Sequence, residues 1–208
     1  MSFSRTRIKM CGMTRTEDIA HAVNLGVDAI GFIFYPESSR YITIEKAGFL
    51  LKDLPPFVSP VAVVVDPEIG LVKQILAKLP IHLLQFHGNE SPEFCQQFDT
   101  PYIKAIHTHT ASQIRQEMCR YSKASALLLD TPSDTCRGGT GLTFDWNMIP
   151  GDLPKPYILA GGLNHDNVSE AVKVHPYAVD VCSGIEMYPG VKDHLKMSQF
   201  IEVLAHHE

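Results

Sequence analysis

A cysteine stands where a short apolar run, Ile8-Lys9-Met10-Cys11, gives way to a stretch suited to opening a helix, Gly12-Met13-Thr14-Arg15-Thr16-Glu17-Asp18. A thiol at such a junction can act as a base or nucleophile once ionised, and a nearby helix N-terminus would favour the thiolate. Thr14 and Glu17 have capping-box spacing ahead of Ile19-Ala20-His21-Ala22-Val23. The plainer reading of Cys11 is a small buried hydrophobe. Other polar residues stand at or beyond the ends of apolar runs. Arg40 follows Phe34-Tyr35-Pro36-Glu37-Ser38-Ser39, His87 ends Gln85-Phe86-His87, and Asp130 ends Leu127-Leu128-Leu129-Asp130. An aspartate at the edge of an apolar strand becomes a proton donor if desolvation raises its pKa. Otherwise it hydrogen-bonds the following loop, and the residues alone leave both readings open. His87, by type and position alone, reads as structural.

Two small-residue turns close the chain's apolar series: Ala160-Gly161-Gly162-Leu163-Asn164 and Cys182-Ser183-Gly184-Ile185-Glu186. Glycines let backbone N–H groups approach a ligand closely. In α/β barrels the loops after strands seven and eight commonly bind phosphate. Gly161, Gly162, Ser183 and Gly184 are therefore candidate phosphate-binding residues; the alternative is two tight turns with no ligand. Arg137-Gly138-Gly139-Thr140-Gly141 lacks the Gly-Lys-Ser/Thr of a Walker motif and reads as a mobile active-site loop over 137–143. The ten histidines form no metal pattern: His107 and His109 are close, but no carboxylate-rich helix or cysteine cluster accompanies them.

The elements that must position these groups alternate. Apolar runs lie at 8–11, 28–34, 58–65, 81–86, 102–106, 126–129, 157–160 and 178–181, mostly continuous, as in strands buried on both faces. Helical patterns fall between them at 18–25 with Gly26 as a C-terminal stop, at 44–54, at 67–79 opening on Pro67, and after Ser91 as N-cap. Further ones span 111–121, a short turn at 145–149, 165–174 and 193–205. Such alternation means parallel strands with right-handed crossovers, and eight repeats predict one (β/α)8 barrel over residues 1–208. A flavodoxin-like open sheet is the structural rival, but it needs fewer strands. In a barrel the chemistry belongs at the C-terminal strand ends.

A 208-residue chain suits one sizeable core, and a formal net charge of −5 argues against nucleic-acid or anionic-membrane partners. It leaves small anions open, since backbone amides bind phosphate without net positive charge. Five scattered cysteines, none in a C-x-x-C pair, fit reduced thiols. The N-terminal residues lack the apolar segment of a signal peptide, and no run approaches membrane-spanning length, so a cytoplasmic protein is expected.

Taken together, Lys9-Met10-Cys11-Gly12-Met13-Thr14, Gly31 to Pro36 with Ser39-Arg40-Tyr41, Gln85-Phe86-His87-Gly88 and Leu128-Leu129-Asp130-Thr131 resemble the phosphoribosylanthranilate isomerase family. So do Gly138-Gly139-Thr140-Gly141 with Thr143-Phe144-Asp145-Trp146, Ala160 to Asn164, and Val179 to Glu186 with Pro189-Gly190 and Lys192-Asp193. The blocks run in family order along nearly the whole chain. The resemblance implies a phosphate-binding barrel that needs neither metal nor organic cofactor. It also implies an Amadori rearrangement of a phosphosugar aminoaldose to an aminoketose. By motif, Asp130 is implied as general acid and Cys11 as general base. Arg40, His87 and Asp180 are implied as substrate-binding, with Arg40 on the anthranilate carboxylate and Asp180 near the ribose. A guanidinium suits a planar carboxylate because two parallel hydrogen bonds fit it. Two positions depart from the family pattern: Leu142 stands where relatives often carry lysine, and Cys182 where they often carry serine. The rivals are another phosphosugar isomerase or epimerase barrel, and a phosphate-binding barrel without chemistry. The expected partner is a small phosphosugar, and the sequence allows monomer or homodimer.

Overall fold

The computed structural model describes residues 5–107, 110–130 and 145–205. The glycine-rich stretch 137–143 with Leu142, together with Cys136, His109 and His206-His207, lies outside the described residues. Eight strands alternate with helices. They are β1 (Arg7–Met10), β2 (Ala29–Ile33), β3 (Ser59–Val64), β4 (Leu83–Phe86), β5 (Tyr102–Ile106), β6 (Ala126–Leu129), β7 (Tyr157–Leu159) and β8 (Ala178–Val181). Between or after them come α1 (Thr16–Asn24), α2 (Ile44–Leu51), α3 (Ile69–Lys78), α4 (Pro92–Gln96), α5 (Ala111–Arg120), α6 (Val168–Val172) and α7 (His194–Ala205). Every strand pairs in parallel with its neighbour, and β8 returns to β1, so the sheet closes into a barrel. Closure rules out the open-sheet alternative and leaves the barrel no free edge.

The apolar runs became strands because both faces find a dry partner. Side chains alternate by two along a strand. Leu127 and Leu129 point to the helices and join the large outer core with Met10, Phe32, Phe86 and Phe200. Ile103, Ala105, Ala126, Leu128, Ile158, Ala160 and Ala178 form a second cluster filling the barrel interior. Extending that inner face by steps of two toward the C-terminal ends reaches Cys11, Gln85, His87, Asp130, Asp180 and Cys182, which all border one pocket. Among the described residues, no helix is long and apolar enough to cross a membrane.

Local signals held in part. Ser91 caps α4 by accepting from the Phe94 N–H, with Pro92 in the first turn. Gly26 follows α1 at a φ of 80°. The capping box of Thr14 and Glu17 does not form: the N-cap of α1 is Arg15, which makes no side-chain cap bond. Thr14 instead donates to the Gly190 carbonyl, and Glu17 pairs with Arg15. The stretch after Thr14 is drawn across the top of the barrel, and the helix starts one residue too late for that box. Pro67 lies before the N-cap Glu68, not in the first turn of α3. Helix α6 is shorter than the 165–174 pattern. A two-stranded hairpin, β9 (Glu186–Tyr188) and β10 (Val191–Lys192), follows β8 and was not anticipated. Its connection holds Gly190 at a φ of 84°, a region glycine occupies without steric cost.

Candidate active site

The pocket at the C-terminal end of the barrel has a volume of about 400 Å³. Its walls come from residues far apart in the chain, each delivered by the strand before it. Cys11 follows β1, and its N–H donates to the Val181 carbonyl at 2.9 Å, which fixes it against β8. Its thiol has room because residue 31 is glycine, and glycine at residue 12 leaves room for Arg40. A Cβ at Gly31 would lie 2.6 Å from Cys11 Sγ, and one at Gly12 would lie 2.7 Å from Arg40 Cδ.

Cys11 does not behave as the helix-dipole expectation had it. Its hydrogen bond to Cys182 and its burial push the thiol pKa well up, with Lys9 pulling the other way. Helix α1 begins only at Thr16, too far along the chain to favour a charge at residue 11. The thiolate is favoured instead at Cys182. The hydrogen bond from Cys11 pulls that thiol down to about 7, and the Lys192 and Arg40 charges add to the pull against the cost of burial. Lys192 Nζ lies 3.0 Å from the Cys182 carbonyl and 3.9 Å from its sulfur. Of the two thiols, Cys182 is therefore the one whose thiolate is favoured.

Three strand ends away around the barrel, Asp130 follows β6. Its Oδ2 meets His87 Nε2 at 2.9 Å, and His87 Nδ1 meets Gln85 Nε2 at 2.9 Å. The Gln85 amide donates to Nδ1, which leaves the neutral ring's proton on Nε2, facing Asp130. His87 thus supports Asp130 as well as lining the pocket. Gln85 is 1 % exposed and was missed by motif reading; its spacing of two from His87, on the inner face, is the signal that locates it.

The floor is an ion pair. Lys9 Nζ donates to Asp180 Oδ2 at 2.7 Å, both side chains almost wholly buried. Burial alone would push the ammonium pKa down, but Asp180 and Cys11 outweigh it, so Lys9 stays protonated. The second carboxylate oxygen, Asp180 Oδ1, is buried with no hydrogen-bond partner in the protein.

Arg40 borders the pocket, yet much of its fork is already engaged. Nε lies 2.8 Å from Glu186 Oε1, and Nη2 lies 2.6 Å from Oε2. Lys192 Nζ adds a contact to Glu186 Oε1 at 2.9 Å. Burial would push the Glu186 pKa up, but Arg40 and Lys192 outweigh it, and the carboxyl lies below its usual range. Glu186 and Lys192 sit on the unanticipated hairpin, and no motif signalled their role.

The two glycine turns meet on the third side. Gly161 and Gly162 adopt φ values of 80° and 69°. Asn167 Nδ2 holds the Gly162 carbonyl at 2.9 Å. Gly161, Gly162 and Ser183 line the pocket, whereas Gly184 packs behind it. A Cβ at Gly184 would sit 1.9 Å from the Leu163 carbonyl, so this glycine is what lets the turns after β7 and β8 touch. Among the described residues, no group of three or more His, Cys, Asp or Glu is placed to hold a metal ion.

The family model for N-(5'phosphoribosyl)anthranilate (PRA) isomerase matches residues 8–203. N-(5'-phosphoribosyl)anthranilate isomerase of Legionella pneumophila (strain Lens) is 62% identical over 205 residues, 98% of this chain and 99% of the relative. The protein of that name from Nitrosospira multiformis is 50% identical over 196 residues, 94% of each chain. The crystal structure of phosphoribosyl anthranilate isomerase from Thermotoga maritima matches with a TM-score of 0.89 at 38% identity, over 97% of this chain and 99% of that one. Another phosphoribosyl anthranilate isomerase, crystallised with reduced 1-(o-carboxyphenylamino)-1-deoxyribulose 5-phosphate, matches with a TM-score of 0.82 at 34% identity, over 97% and 99%. An eight-stranded barrel whose mouth gathers Cys11, Asp130 and paired glycine turns, matched at this identity over nearly its full length, belongs to the N-(5'-phosphoribosyl)anthranilate isomerase family.

Proposed function

We propose that Asp130 and Cys11 are the acid and base of one isomerisation performed in this pocket. The chain is an aldose–ketose isomerase of tryptophan biosynthesis that acts on N-(5'-phosphoribosyl)anthranilate. Its reaction opens the furanose, moves a proton from C2′, and leaves 1-(2-carboxyphenylamino)-1-deoxyribulose 5-phosphate. The conversion is redox-neutral and balances in protons, so acid–base groups alone can carry it.

Asp130 delivers a proton to the ring oxygen. His87 Nε2–H occupies Oδ2, which directs the transferable proton to Oδ1. Ring opening gives a Schiff base whose iminium form acidifies the C2′ proton. Cys11 removes that proton after passing its own to Cys182 along their hydrogen bond, so the thiol pair supplies the base at neutral pH. The enolamine then tautomerises to the ketone. Gly161, Gly162 and Ser183 hold the phosphate through the turns that Gly184 brings together. Asp180 Oδ1 takes a ribose hydroxyl: leaving it unpaired costs about 1–3 kcal/mol, which such a contact offsets. Arg40 meets the anthranilate carboxylate at the rim, where Glu186 holds the guanidinium in place. The four free cysteines among the described residues, Cys11, Cys95, Cys119 and Cys182, support a reducing compartment, and we place the enzyme in the cytoplasm.

The observation that carries the assignment is the placement of Cys11 and Asp130 on facing walls of one pocket whose third side is the glycine turns. The test is the loss of phosphoribosylanthranilate fluorescence, with substrate generated in place from anthranilate and phosphoribosyl pyrophosphate. Cys11→Ala is expected to lower turnover about 10²- to 10⁴-fold, the range for removing a positioned base. Turnover near the parent rate by a folded Cys11→Ala protein would remove Cys11 from the reaction.

A further inference from the structure

Cys11 and Cys182 lie on neighbouring parallel strands, one rung beyond the last paired residues. The register sets Lys9 opposite Asp180 and Met10 opposite Val181, so the next rung sets Cys11 beside Cys182. The ladder continues into that rung through the Cys11 N–H and the Val181 carbonyl. Neighbouring strands run about 4.8 Å apart. That spacing falls within the Cα separation of roughly 4.4–6.8 Å that a disulfide spans. Rung partners in a parallel pair point to the same face, and both side chains line the same pocket. Both residues are free thiols. A Cβ at Gly12 would come within 3.0 Å of Cys182 Sγ, so glycine there keeps the space around that sulfur open.

We propose that Cys11 and Cys182 form an oxidisable dithiol site, which hydrogen peroxide converts to a disulfide across the ends of β1 and β8. Cys182 is the attacking partner, because Lys192 and Arg40 favour its thiolate. Its sulfur takes one oxygen of the peroxide as the O–O bond breaks, giving a sulfenic acid and hydroxide. The Cys11 sulfur then attacks the sulfenic sulfur: the S–S bond forms, the S–O bond breaks, and water leaves with the remaining proton. Two thiols and one peroxide give one disulfide and two waters. The other described cysteines are built differently. Cys95 is buried, and burial pushes its thiol up to about 12, while Cys119 is exposed on α5. The consequence for turnover rests on Cys11 being the base, since a disulfide sulfur cannot accept the C2′ proton.

The experiment exposes the full chain to hydrogen peroxide, blocks remaining thiols, and digests with trypsin under denaturing conditions. The expected product joins peptide 10–15 to peptide 174–192, and dithiothreitol separates them. Turnover is expected to fall in step with the link and return on reduction. Cys182→Ser is expected to form no link and to show no dithiothreitol-reversible loss, measured against its own untreated rate. Peroxide treatment that leaves Cys11 and Cys182 unlinked, or that carries Cys182 to sulfinic acid instead, would overturn the proposal. A link formed without loss of turnover would uphold the dithiol site and overturn Cys11 as base, so the two readings fail separately.

Discussion

The two halves of the pocket are built on opposite principles. On the β4–β6 side, Asp130 is held by a chain of two hydrogen bonds, through His87 to Gln85, all short-range and geometric. On the β1–β8 side, Cys11 and Cys182 sit among buried charges: Lys9 with Asp180 below, and Arg40, Glu186 and Lys192 beside them. In the proposed reaction the acid is controlled by where its proton points, the base by which sulfur is favoured as thiolate. A thiol is mostly unionised at neutral pH until neighbouring charges favour the thiolate, which is what the β1–β8 side supplies.

Replacing the proposed acid has the largest expected effect. Asp130→Asn keeps the shape and the His87 contact but has no transferable proton, and kcat is expected to fall about 10²- to 10⁴-fold. Unchanged kcat would take Asp130 out of the reaction. Next comes the buried pair on the other side. Lys9→Met leaves Asp180 without its cation, and urea unfolding is expected to show a loss of about 3–5 kcal/mol. A loss below about 1 kcal/mol would mean that Asp180 simply takes up a proton when Lys9 is gone.

A third test uses pH. The folded-state pKa of Glu186 lies below its ordinary value of 4.5, so its contribution to stability is fully present above that value. The contribution is lost as pH falls through the folded pKa. Glu186→Gln is therefore expected to be less stable than the parent near neutrality, with the gap narrowing in acid. A gap that stayed constant from pH 7 to pH 3 would show that packing, not charge, is what Glu186 supplies. The smallest effect belongs to the geometric side. Gln85→Leu frees the His87 tautomer at the cost of one neutral hydrogen bond, about 0.5–1.5 kcal/mol, or roughly a two- to thirteenfold loss in kcat. A loss near 10³-fold would show that Gln85 does more than orient His87, and would erase the contrast between the two sides.

How far the site could be read in advance follows the same division. The placement of Cys11, Asp130 and the glycine turns at the pocket was legible because each stands at the end of a continuous apolar run, and such ends line the mouth of a barrel. Gln85 was legible in principle by its step of two from His87, but an apolar run hides which residues face inward. Arg40 was found and its partner was not: Glu186 lies 146 residues further along the chain, on a hairpin with no strong periodic signal. The capping box of Thr14 failed for a related reason, since the Gly190 carbonyl on that hairpin claims its hydroxyl.

The sequence by itself determined the eightfold alternation, the closed barrel that alternation folds into, and which strand ends place Cys11, His87 and Asp130 at the pocket. These follow from local propensity and from the burial of short apolar runs. Only the tertiary structure decided that the thiolate is favoured at Cys182 rather than at Cys11, and that Lys9 meets Asp180 across 171 residues of chain. Nor could the sequence alone show that Gly184 must be small for two turns to touch. Ionisation depends on burial and on neighbouring charges within a few ångströms, and those neighbours are brought together only when β8 closes on β1.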